Sequence, residues 1–103
     1  MYLIQVLLPR YDNRGRRLPQ KLFDDTSRLL AAKSYGGVTA YKRSPAVGLW
    51  NSRGSRLKRD EIIVYEVVTP DLKPKLWKNR RKKWEAAFRQ DSILIRASRC
   101  QQL

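Results

Sequence analysis

Residues 61–69, EIIVYEVVT, carry β-branched residues at most positions and form the strongest strand signal in the chain. Everything on either side is constrained by how it can join a sheet around that strand. Residues 2–8 (YLIQVLL) alternate as a strand does, with Ile4, Val6 and Leu8 on one side and Leu3, Gln5 and Leu7 on the other. A loop rich in turn formers and arginine follows, RYDNRGRR. Pro19 then suits a helix start, and Leu22, Phe23, Thr26, Leu29, Leu30 and Ala31 keep helical spacing up to Ser34. Gly36 and Gly37 are expected to end that helix in the left-handed conformation.

A second strand is predicted over 38–43 (VTAYKR) and a last one over 92–98 (SILIRAS). Residues 44–60 are too long for a tight turn and read as a hairpin arm between the second and third strands. Asp71 is expected to cap a second helix that runs to about Arg89, with Pro74 in its first turn and Trp77, Trp84 and Phe88 as its buried stripe. The order is βαββαβ, an α+β arrangement that matches a ferredoxin-like fold. It predicts a four-stranded antiparallel sheet in the order 4-1-3-2, with two helices on one face. At 103 residues the chain supports one domain, 1–103, with a short tail at 99–103.

The face away from the helices then carries Leu3, Leu7, Ile62, Val64, Val68 and Leu94, too many aliphatics for a solvated sheet. A homodimer through that face is expected, with Leu3, Leu7, Trp50, Ile62, Val64 and Leu94 in its interface. Gln5, Glu66 and Arg96 fall near the middle of their strands on the same face, where Gln5 can bridge the two charges. These three and Tyr41 form an alternative site for a small molecule, Glu66 serving as base and Arg96 as anion holder.

Composition narrows the partner class. The formal charge is +14, from 23 Lys and Arg against 9 Asp and Glu, and it favours polyanions. Residues 73–89 hold eight basic residues against Glu85 alone. With acidic i,i+4 partners nearly absent, those charges repel rather than pair. The expected polyanion contacts are Lys73, Lys75, Lys78, Arg80, Arg81, Lys82 and Lys83 on the helix, with Arg53, Arg56 and Lys58 on the arm. Nucleic acid, RNA or DNA, is the favoured partner through phosphate contacts without sequence reading. An acidic protein that docks the basic helix is a further reading.

The chain has no His and a single Cys, Cys100, which excludes Ser-His-Asp chemistry, an internal disulfide and a His- or Cys-cluster metal site. No catalytic residue, metal or cofactor is expected. The start MYLIQVLLPR lacks a basic lead and a small-residue cleavage site, and no window is apolar enough to span a membrane, so a cytoplasmic location is expected.

Three phrases, YGGVTAYKRSPAVGLW (35–50), RDEIIVYEVV (59–68) and FRQDSILIRA (88–97), resemble a group of small bacterial proteins of uncharacterised function. That group carries the pattern FGGVTAF-RSPA-GLW, RD-IVVYEV and FRQ-IxIRA, and the likeness spans nearly the whole chain. It implies the fold and no chemistry. By architecture the chain is also similar to dimeric α+β barrel proteins, which include cofactor-free monooxygenases and small-molecule binders.

Overall fold

A computed structural model describes residues 1–32, 37–43 and 61–103. The elements are β1 (Tyr2–Pro9), α1 (Gln20–Ala32), β2 (Val38–Arg43), β3 (Ile62–Thr69), α2 (Pro74–Ala87) and β4 (Leu94–Arg99). All strand pairs are antiparallel and the order is β2-β3-β1-β4, the expected 4-1-3-2 order read from the other edge. The arm expected at 44–60, with Trp50, Arg53, Arg56 and Lys58, lies outside the described residues, as does Gly36.

The core forms where the alternation of the strands meets the stripes of the helices. Ile4, Val6 and Leu8 of β1, Ile63, Tyr65 and Val67 of β3, and Ile93 are buried against Phe23, Leu30, Trp77, Trp84 and Phe88. Phe23 of α1 and Phe88, just after α2, meet edge-on with ring centroids 5.2 Å apart, which joins the two helices over the sheet.

Local chemistry explains the turns. Asp12 opens the first loop by accepting the N–H groups of Arg14 and Arg16 at 2.9 Å each on one carboxylate oxygen. Gly15 N–H donates to Asp12 O at 3.0 Å, and Asp12 N–H to Arg16 O at 2.8 Å. Gly15 has φ 78, the left-handed conformation that such a tight loop requires at this position. These backbone hydrogen bonds hold the Asp12 carboxyl below its ordinary carboxylate range, against the opposing effect of burial.

One boundary expectation is corrected. The residue before α2 is Lys73, which makes no side-chain cap, while Asp71 lies further out with its carbonyl accepting from Thr69 Oγ1 at 2.8 Å. Pro74 fixes the first turn instead, since its ring presets the helical φ and it has no N–H to satisfy. The described part of α1 ends at Ala32, and the cap expected at Gly36 lies outside the described residues; Gly37, just before β2, has φ 138, the left-handed side that favours glycine.

Candidate functional site

Two groups of polar side chains stand apart from the core. The first is the outer side of α2. Trp77, Arg80, Trp84 and Phe88 are spaced three, four and four residues apart, so they form one inward stripe. The rest of the helix is turned to solvent, where Lys75, Lys78, Lys82 and Lys83 are exposed, together with Lys73 just before the helix. Arg81 is half-buried, its Nε 4.0 Å from Glu85 Oε2. That same carboxylate oxygen accepts the Ile93 N–H at 2.9 Å, so the single acid of the helix is also tied to the start of β4.

Arg80, expected among the polyanion contacts, does not stand on the outer side of α2. It is 7% exposed, and its guanidinium lies 4.6 Å from the centre of the Trp77 ring. The signal for this was present in the spacing, because Arg80 stands three residues after Trp77 and four before Trp84.

The second group crosses the sheet on the face opposite the helices. The register places Thr39 opposite Glu66, Glu66 opposite Gln5, and Gln5 opposite Arg96. Arg96 Nε donates to Gln5 Oε1 at 2.6 Å, and Gln5 Nε2 donates to Glu66 Oε2 at 2.5 Å. The amide of Gln5 therefore has one orientation, carbonyl to the cation and NH₂ to the anion. This is the bridge expected from strand order alone. Leu3, Leu7, Ile62 and Val68 beside it are half-buried, Val64 is 2% exposed and Leu94 is 51% exposed. Tyr41 stands opposite Val64 in the register.

A third feature was not anticipated. The loop after β1 is fastened to the end of α2 by Gln90, whose Nε2 donates to Tyr11 O at 2.7 Å and Phe88 O at 3.0 Å. Asn13 adds its N–H to Arg89 O at 3.0 Å and its side-chain amide to Asp91 at 3.3 Å. Arg10, the first arginine of that loop, is 7% exposed, with its guanidinium 5.0 Å from the Phe23 ring centre. Burial of this kind depends on contacts far apart in sequence, and loop composition carries no sign of it.

Among the described residues no three of His, Cys, Asp and Glu gather in a way that holds a metal ion, and no helix is long and apolar enough to cross a membrane. No protein-family model matches the chain, and neither a curated protein nor a solved structure matches it.

Proposed function

We propose that this chain is a small basic module that binds a polyanion, nucleic acid above all, through contacts to phosphates. The observation that carries the reading is the outer side of α2. Lys73, Lys75, Lys78, Lys82 and Lys83 are exposed there, and none of them forms an ion pair with another described residue. Lys73 and Lys75 also sit at the positive end of the helix dipole, where a cation is unfavourable and an acid would be stabilising. A bound phosphate backbone reverses the sign of both effects and releases counterions.

Sequence reading is not part of the proposal. Single-strand readers of this topology stack bases on aromatics of the two central strands, and the corresponding positions here are Leu3, Gln5, Leu7, Val64 and Glu66. The reading places the protein in the cytoplasm with its nucleic acid.

The test is fluorescence anisotropy of a labelled duplex and a labelled single strand over a range of salt. If all five lysines meet phosphates of a duplex, the slope of log K against log[salt] is about −4.5. The Lys82→Gln, Lys83→Gln double variant is expected to flatten it by about 2. Failure of both oligonucleotides to bind at about 50 mM salt, or a slope near zero, refutes the reading.

The Gln5 row favours a second reading, a homodimer or small-molecule binder that uses the sheet face, with Glu66 as base and Arg96 as anion holder. Polar groups locked in one orientation among Leu3, Leu7 and Val64 suit a surface that becomes covered. Native mass decides on the dimer: a monomer across the micromolar range removes it.

A further inference from the structure

We propose that the cavity between α1 and strands β2 and β3 binds a small zwitterion, Arg10 holding its anionic group and Asp24 its ammonium group. The cavity has a volume of about 310 Å³ and is lined by Arg10, Gln20, Asp24, Ser27 and Tyr65 over an apolar floor that includes Ile63. At roughly 30 Å³ per water it has room for about ten waters, or a molecule of the size of an amino acid.

Arg10 is the reason to look for a ligand. It is only 7% exposed, and its Nε has no hydrogen-bond partner among the described residues. The contact it does make, with the face of Phe23, satisfies charge from one side and accepts none of its N–H donors in a directed bond. Buried arginine normally meets a carboxylate, and no ion pair to Arg10 forms among the described residues.

The same cavity carries the opposite charge. Asp24 is exposed, forms no ion pair among the described residues, and accepts a hydrogen bond from Gln20 Nε2 at 3.2 Å. Tyr65 lines the same cavity, its hydroxyl donating to Phe23 O at 2.9 Å and accepting from Ser27 Oγ at 3.3 Å. Burial raises the pKa of Tyr65; the charge of Asp24 adds to the rise and that of Arg10 opposes it, so both charges reach this one group. A simple anion entering the cavity is repelled by Asp24, and a simple cation by Arg10. A molecule that carries both charges meets each with its complement, and an aliphatic side chain then covers Ile63 and Ala40.

The test uses the full chain labelled with ¹⁵N and titrated with L-alanine, L-leucine and L-phenylalanine, then with 4-methylpentanoate and 3-methylbutylamine. At least one amino acid is expected to give saturable shifts at the Ser27, Ala40 and Tyr65 amides. Leucine is expected to bind at least about tenfold tighter than either single-charge analogue. Absence of saturable shifts from all three amino acids up to about 10 mM overturns the proposal. So does equal affinity for leucine and 4-methylpentanoate. Asp24→Asn, at an exposed position, is expected to abolish that discrimination, and its survival in this variant overturns the proposal even where Arg10→Met fails to fold. A folded Arg10→Met that binds leucine unchanged does the same.

Discussion

Adjacent residues at the end of α2 are expected to respond to substitution with opposite signs. Gln90 N–H donates to Glu85 O at 2.9 Å and Arg89 N–H to Ala86 O at 3.3 Å, the pair of bonds that closes a helix through a left-handed residue. That residue is Arg89, with φ 49, a conformation that costs a side-chain-bearing residue about 1–2 kcal/mol. Arg89→Gly removes this cost but adds about 0.5–1 kcal/mol of chain entropy, so a net stabilisation of about 0.5–1 kcal/mol is expected. Arg89→Ala keeps the left-handed cost and is expected to give no gain. Gln90→Ala deletes the two bonds from Nε2 to Tyr11 O and Phe88 O, at about 0.5–1.5 kcal/mol each. A loss of about 1–3 kcal/mol follows, or a fall in Tm of about 4–8 °C per kcal/mol for a domain of this size. Urea unfolding followed by fluorescence of the buried Trp77 and Trp84 measures all three variants. Arg89→Gly less stable than wild type, or Gln90→Ala indistinguishable from it, refutes the account of this terminus.

Phe88→Ala is expected to cost about 3–5 kcal/mol, because a residue 1% exposed and edge-on to Phe23 leaves a cavity between the helices; equilibrium unfolding measures it. Asp12 has a folded pKa below its unfolded value, so its contribution is present above the unfolded pKa of about 3.8 and is lost as pH falls through the folded pKa. The stability difference between wild type and Asp12→Asn should therefore be constant near neutral pH and shrink below about pH 4, in unfolding curves collected from pH 7 downward. Gln5→Leu is expected to cost about 1–3 kcal/mol by ending both bonds of the cross-sheet row, and Arg96→Met less, because Arg96 is exposed; equal costs by urea unfolding would contradict that ranking.

The residues that sequence placed well are those whose position follows from periodicity. Once EIIVYEVVT is a strand beside YLIQVLL, alternation sets which side chains share a face, and strand order puts Gln5 between Glu66 and Arg96. Burial of Trp77, Trp84 and Phe88 follows in the same way from helical spacing. The charge of Arg80 points to solvent and its place in that stripe points inward; the stripe decides, because a long side chain can lay its stem and planar head along an indole. Arg10, Asp12 and the tie from Gln90 to the first loop lie beyond reach for another reason. Their partners are loop carbonyls, loop N–H groups and the ring of Phe23, brought together only by the packing of the first loop against the end of α2. Asp71 was a plausible cap by residue type, but Pro74 at the start of α2 already meets the needs of that end.

The balance within α2 bears on why its charge is there at all. The like-charged neighbours Lys75 and Lys78, Lys78 and Arg81, Lys78 and Lys82, and Arg80 and Lys83 lie at helical contact spacing, each pair costing about 0.2–0.5 kcal/mol. One favourable pair, Arg81 with Glu85, returns a similar amount. The repulsion therefore totals about 1 kcal/mol, against about 1.5–3 kcal/mol for each large apolar side chain that the helix buries. Trp77 and Trp84, both 6% exposed, hold α2 on the sheet with a margin that the lysines do not threaten. Packing thus permits the charge without requiring it, and the fold alone would be as well served by glutamates among the lysines. Under the proposed function, a phosphate backbone would offset this disadvantage, both for the run 78–83 and for Lys73 and Lys75 at the positive end of the helix dipole.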